Sequence, residues 1–261
     1  MIEVIVTGAA GRMGREVVRA VTAADGMRVA AAVDTSGGAT AVDDGAGGAV
    51  AVSGDLAAAL RGAGPRVLVD FTVPAAVEKN VAAALAAGVH CVVGTTGVSQ
   101  DRWREMSAAA PKDVCLFVAP NFAIGAVLMM RFAQTAARYM PSVEVIELHH
   151  DRKLDAPSGT ALRTASLIAM ARAQAPVSPG RETEVAPCAR GALVESVSVH
   201  SVRLPGLMAH QEVIFGGVGQ TLTIRHDSID RTSFMPGVVL AVGEVVSRSG
   251  LVVGLEELMG L

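Results

Sequence analysis

The chain has 261 residues, 51% hydrophobic and 18% charged, with a formal net charge of -3. This is a globular composition, long enough for one large core or two modest ones, and it excludes a disordered chain. Lys and Arg are scattered singly and aromatics make up only 3%, so neither a nucleic-acid partner nor an anionic membrane partner is expected.

The first strand begins at Ile2, which leaves no room for a signal segment. The most apolar stretches, such as Val81–Gly94 and Gly237–Val246, fall short of the roughly 20 residues of a spanning helix. Cys91, Cys115 and Cys188 have no metal-like spacing; reduced thiols, no metal and a cytoplasmic location are expected.

In chain order, strand-like runs at Ile2–Thr7, Val29–Asp34, Arg66–Phe71, His90–Val93 and Val114–Val118 alternate with helical patterns. The helices fall at about Met13–Ala23, Leu56–Arg61, Ala75–Ala87 and Gln100–Ala109. Near-continuous apolar strands separated by helices predict a parallel sheet covered on both faces. The segment Gly37–Gly48 has no periodicity and reads as a mobile loop.

The character changes after about Asn121. A long apolar helix (Ala123–Tyr139) leads to a strand (Val143–His149), a polar loop, a helix (about Thr160–Ala173) and a Pro-rich connection (Pro176–Pro187). Three runs, Ala192–Leu204, Gln211–Phe215 and Gln220–His226, are separated by Gly-rich turns and predict antiparallel neighbours. A last helix (about Pro236–Ser249) is expected to return to the first domain. The predicted fold class is α/β: a Rossmann-type dinucleotide-binding domain of residues 1–120 with 230–261, and an α+β domain of residues 121–229 on an open mixed sheet, to which the resemblance given below assigns substrate binding and oligomerisation.

Strand Ile2–Thr7 runs into Gly8-Ala9-Ala10-Gly11-Arg12-Met13-Gly14 and a helix. Glycines there give a tight turn, close approach of backbone N–H groups to a pyrophosphate, and close helix–strand packing. The second strand ends in Asp34, placed to accept hydrogen bonds from ribose hydroxyls. Asp34 would repel a 2′-phosphate, and Thr35 and Ser36 add no cation, which favours NAD over NADP; Arg12 could partly offset this. Gly94-Thr95-Thr96-Gly97 ends the fourth strand, either as a simple turn or as the lining of the nicotinamide end. Trp103 reads as packing.

The sharpest cluster is Glu147-Leu148-His149-His150-Asp151-Arg152-Lys153-Leu154-Asp155-Ala156-Pro157-Ser158-Gly159-Thr160. Ser158 is placed to N-cap the next helix, and a helix start at Gly159-Thr160 offers N–H groups to a carboxylate. Lys153 supplies charge and a proton, and an imidazole transfers protons near neutral pH. A polar strand end followed by a solvated loop is the alternative.

The chain resembles the dihydrodipicolinate reductase family over essentially its whole length. The likeness rests on VTGAAGRMGREV, VVGTTG, APNFAIG, ELHHDRKLDAPSGTAL, RLPGLMAHQEVIF and LTIRHDSIDRTSFMPGVVLAV. It implies that NADH or NADPH delivers hydride to a cyclic dicarboxylate derived from pyruvate and aspartate semialdehyde, giving tetrahydrodipicolinate in the diaminopimelate and lysine pathway. By position, His149 matches the family's acid/base histidine and Lys153 its proton-donating, substrate-binding lysine. His150 matches a substrate-binding position, and Gly159 and Thr160 the backbone pair that holds a carboxylate. Gly8, Ala9, Ala10, Gly11, Arg12 and Met13 match the pyrophosphate loop and Asp34 the ribose acid. Gly94, Thr95, Thr96, Ala119, Pro120, Asn121 and Phe122 match the nicotinamide side. The resemblance also implies a homotetramer formed through the second domain, with the domains closing around the ligands. Some members carry Arg after the ribose acid, where this chain has Thr35, so dual cofactor use leaning to NADH is expected. An imine-reducing amino-acid dehydrogenase and a non-catalytic dinucleotide sensor are the rival readings.

Overall fold

The computed structural model describes residues 1–61, 66–173 and 183–261. Two compact units emerge, Met1–Ile124 with Arg231–Leu261, and Gly125–Asp230.

In the first unit β1 (Ile2–Thr7), α1 (Arg12–Ala23), β2 (Met27–Val33), β3 (Ala41–Asp43), β4 (Ala49–Ser53), α2 (Leu56–Ala59), β5 (Arg66–Asp70), α3 (Pro74–Ala86), β6 (His90–Val93), α4 (Gln100–Ala108) and β7 (Cys115–Val118) follow in order. Their strands form an eight-stranded sheet in the order β13-β7-β6-β5-β1-β2-β4-β3, where β13 is Gly250–Val253 near the C-terminus. All its pairings are parallel except β3 with β4. Every residue of β5 is buried, as its Val67-Leu68-Val69 centre requires in a sheet covered on both faces. On α1, Gly14, Val17, Val18 and Val21 are buried at helical spacing. Trp103 belongs to the core, against the helix-covered face of the sheet. From β1 the chain goes to β2 on one side and β5 lies on the other, so the strand order reverses at the carboxyl end of β1, where open α/β sheets bind ligands.

The segment predicted as a loop over Gly37–Gly48 contains β3. Its turn into β4 is closed by Asp43, whose side chain accepts from the N–H of Gly45, and by Asp44, which accepts from the N–H groups of Ala46 and Gly48. Such Asx turns leave no hydrophobic period to read. After a 3₁₀ turn (Arg231–Phe234), α7 (Met235–Val245) packs against α1, β6 and β7, followed by β13 and α8 (Leu255–Met259). The last two elements are absent from the sequence-based expectation, which ran the helix on to Ser249; it ends earlier, and Gly250 at φ 73 turns the chain into a strand beside β7.

The second unit holds α5 (from Ile124 to Ala136), β8 (Ser142–His149), α6 (Gly159–Ala171), β9 (Ala192–Val194), β10 (Val197–Arg203), β11 (Ala209–Gly217) and β12 (Gln220–Ser228). Its five-stranded sheet has the order β12-β11-β8-β10-β9. Part of the predicted Pro176–Pro187 connection lies outside the described residues. The run Ala192–Leu204 is two strands, because Glu195 and Ser196 at φ 46 and 65 make a two-residue hairpin. It does not pair with the next run: β10 lies parallel to β8 and β11 antiparallel to β8 on the other side. β8 takes the centre, so the connection from β10 to β11 crosses its carboxyl end.

Gly14 sets how closely α1 approaches β1. A Cβ there would lie 2.0 Å from the Gly8 carbonyl oxygen and 2.7 Å from the Ala9 Cα, and backbone cannot yield as a flexible side chain can. Gly14→Ala is expected to lower unfolding free energy by about 3 kcal/mol or more, read by urea denaturation.

Candidate active site

In the first unit the glycine turn forms one wall of a cavity of about 440 Å³ lined by Thr7, Gly8, Gly11, Asp34, Phe71 and Asn80, among others. Gly8 has φ +73, and a Cβ there would sit 2.7 Å from the Phe71 carbonyl oxygen, so only glycine fits. Ala9 is buried, Ala10 is half-buried, and Gly11, the N-cap of α1, provides no side-chain cap. The N–H groups of the first helical turn, which begins at Arg12 and Met13, are therefore uncapped by any side chain of their own N-cap. Such a helix start suits an anion.

Asp34 stands at the rim. Its Oδ2 accepts from the Ala10 N–H at 3.0 Å, and its Oδ1 accepts from the Ser36 N–H and hydroxyl at 2.9 and 2.5 Å. Burial pushes its carboxyl up, but these hydrogen bonds outweigh that and hold it below the ordinary range.

Asp70, which the sequence reading passed over, is fully buried at the end of β5. It accepts from Thr7 Oγ1 (2.7 Å), Thr72 Oγ1 (2.8 Å), Thr95 Oγ1 (2.8 Å) and Asn80 Nδ2 (2.8 Å). One carboxylate thus ties the strand before the glycine turn to the Gly94-Thr95-Thr96 segment. Gly94 lies under the Phe71 ring, which a Cβ would overlap at 2.1 Å. Thr95 is buried and Thr96 exposed. Ala119 donates to the Val93 carbonyl, Pro120 is exposed, and Asn121 Oδ1 accepts from the Ala123 N–H. Phe122 is buried with its ring 5.5 Å from that of Phe71.

In the second unit, alternation along β8 turns Val145 and Glu147 inward. Glu147 is wholly buried. Its Oε2 lies 2.5 Å from His149 Nδ1 and accepts from Arg203 Nη1 at 2.8 Å. Its Oε1 accepts from Arg203 Nη2 at 2.7 Å and from the Ser158 N–H at 3.2 Å. Burial pushes its carboxyl up, but hydrogen bonds from His149, Arg203 and Ser201 prevail and hold it at about 2. Arg203 also donates to the Asp155 carbonyl. The sequence places Glu147 in the cluster without a role and does not single out Arg203; the available signal was an acid on the inward phase of the strand, two positions before the first histidine.

Lys153 is paired with the exposed carboxylate of Asp155 at 2.7 and 2.8 Å, which lowers the Asp155 carboxyl. The buried Nδ1 of His150 has no hydrogen-bond partner among the described residues. Ser158 caps α6 as the sequence predicts, its hydroxyl accepting from the Ala161 N–H. Gly159 opens the helix, and a Cβ on it would meet nothing within 4 Å; Thr160 follows, half-buried. One buried acid therefore gathers the histidine, the helix start and the loop carrying the lysine.

Two family models match the chain, "Dihydrodipicolinate reductase, N-terminus" over residues 2–122 and "Dihydrodipicolinate reductase, C-terminus" over residues 125–259. A 4-hydroxy-tetrahydrodipicolinate reductase of Moorella thermoacetica is 50% identical over 264 residues, covering 99% of this chain and 98% of its own. One of Halalkalibacterium halodurans is 51% identical over 263 residues, 99% of this chain and 100% of its own. Among solved structures, a dipicolinate-bound dihydrodipicolinate reductase from Paenisporosarcina sp. TG-14 matches with a TM-score of 0.87 and 41% identity, over 98% and 99% of the two chains. An amine dehydrogenase from Mycobacterium smegmatis, at a TM-score of 0.63 and 14% identity over 97% and 94%, shares the fold alone.

The Glu147 network carries a pH signature. Its carboxyl titrates at about 2 when folded against an ordinary 4.5, so its contribution is complete above about 4.5 and drains away as pH falls towards 2. Urea titrations across this window should show Glu147→Gln losing less stability than the parent chain as acid is added.

Proposed function

The chain belongs to the dihydrodipicolinate reductase family and has the activity of a 4-hydroxy-tetrahydrodipicolinate reductase of lysine and diaminopimelate biosynthesis; we propose that His149 and Lys153 are its proton-transfer groups and that NADH or NADPH is its reductant. The balanced reaction takes substrate, NAD(P)H and a proton to tetrahydrodipicolinate, NAD(P)⁺ and water. The cofactor, when bound, supplies the hydride.

A dinucleotide fits the first unit on three features: the glycine turn with its uncapped helix start, the adjoining cavity, and the Asp34 carboxylate at its rim. In this reading Gly8 to Met13 take the pyrophosphate and Asp34 takes the ribose. Gly94 to Thr96 and Ala119 to Phe122 border the nicotinamide.

The observation that carries the proton assignment is the anchoring of His149 Nδ1 on Glu147. That leaves Nε2 as the atom that exchanges a proton with substrate. Lys153 is held by an exposed aspartate, a partner that a substrate carboxylate can replace. The open space over Gly159 admits a second carboxylate to the Gly159 and Thr160 backbone, with His150 alongside. Dipicolinate, the ligand named for the Paenisporosarcina structure, is a dicarboxylate of this kind. We further propose a cytoplasmic homotetramer assembled through the second unit, whose sheet leaves Ile146, Leu148, Val202 and Ile214 half-buried on the face opposite Val145 and Val213.

The direct test follows NADH and NADPH oxidation with substrate made in situ by the preceding synthase; absence of synthase-dependent oxidation would overturn the reading. His149→Gln is expected to lower kcat about 10²–10⁴-fold with little change in KM. Gly159→Ala should keep the folded state and raise the substrate KM about 10–100-fold, the worth of a hydrogen bond to a charged group. Thr35→Arg should improve KM for NADPH relative to NADH, and an unchanged ratio would remove this account of cofactor choice.

A further inference from the structure

We propose that Glu147 and Arg203 are opposed positioning residues for His149: the carboxylate holds the ring by Nδ1, and the guanidinium, forked onto the same carboxylate, balances its charge. The inference rests on the reading of His149 as a proton-transfer group.

The carboxylate is sealed from water and touches the imidazole at 2.5 Å, a distance at which a change of charge on one group is felt by the other. A buried acid facing His149 alone would fix the imidazolium, and a fixed imidazolium makes a poor proton donor in a cycle that must return the proton. Arg203 occupies the register position beside His149 on the neighbouring strand and forks onto both carboxylate oxygens. Its positive charge offsets the acid without displacing it from Nδ1. The same pair fixes geometry: Glu147 takes the Ser158 N–H that opens α6, and Arg203 takes the Asp155 carbonyl in the loop carrying Lys153. The other titratable or charged groups on the surrounding elements are His150 next in the chain, the Lys153–Asp155 pair, Arg163 in α6, and His210 on β11, which engages Asp227. None of these bonds is to His149 Nδ1.

The test is a titration of His149 by NMR on isotope-labelled histidine, assigned with His149→Gln, alongside pH profiles of kcat and KM. Glu147→Gln keeps an acceptor for Nδ1 and loses the charge, so the His149 midpoint should fall by about 1–2 pH units. Arg203→Gln should raise it. The alkaline limb of kcat should move in the same two directions. A loss of packing alone would not split the sign. An unmoved midpoint in Glu147→Gln, or shifts of the same sign in both variants, overturns the proposal. Should a single variant fail to fold, the double variant Glu147→Gln/Arg203→Gln removes both charges together. Its midpoint should then lie below that of the parent, and a midpoint at or above it overturns the proposal. Turnover that survives in His149→Gln while the midpoints move as expected removes the acid assignment and leaves the charge coupling standing.

Discussion

A carboxylate cut off from water must collect its hydrogen-bond donors from the protein, and every donor it collects is fixed in place. Glu147 does this in the second unit, drawing on a histidine ring, an arginine fork and a helix N-terminal amide. Asp70 does it in the first, with hydroxyl and amide donors from Thr7, Thr72, Thr95 and Asn80. The two solutions differ in charge. Asp70 is surrounded by neutral dipoles, which suits a scaffold that must hold loops around an anionic ligand without adding a competing cation. Glu147 is balanced by Arg203 and shared with a titratable ring, which suits a place where protons move.

Asp70 is the last residue of β5 and Glu147 lies two residues before the end of β8, so each polar centre stands towards the edge of its sheet rather than in its middle. Strand ends suit this purpose because their flanking turns supply unpaired amides. Gly8, Gly94 and Gly159 each open such a turn, yet for different reasons. Side chains at Gly8 and Gly94 would strike Phe71, whereas the space above Gly159 is open. The first two are demanded by the fold, and the third is not.

Much of this was readable in advance. The glycine turn, the strand end at Asp34, the HHDRK loop and the Ser158 cap are each written in a short stretch of chain, and local patterns report local structure well. What escaped was long-range. Asp70 lies inside VLVDFT and Glu147 inside VIELHH, where each reads as one acid in a strand. Their partners lie as far along the chain as Thr7, Thr95 and Arg203. The order of the second sheet escaped for the same reason, since β8 separates two runs that are neighbours in sequence. The likeness to an amine dehydrogenase at 14% identity is a likeness of fold alone, and a fold shared at that distance does not carry a chemistry with it.

The path of the chain has a further consequence. β13 is an edge strand of the first unit's sheet and α7 lies on α1, so the first unit contains residues from both ends of the described chain while the second is continuous. During synthesis the second unit can complete its sheet while the first still lacks a strand and a covering helix. The half made first is thus the half finished last. Damage late in the message, such as a frameshift beyond Arg231, falls on the sheet and glycine turn encoded hundreds of bases upstream and spares the histidine loop that lies nearer to it in sequence.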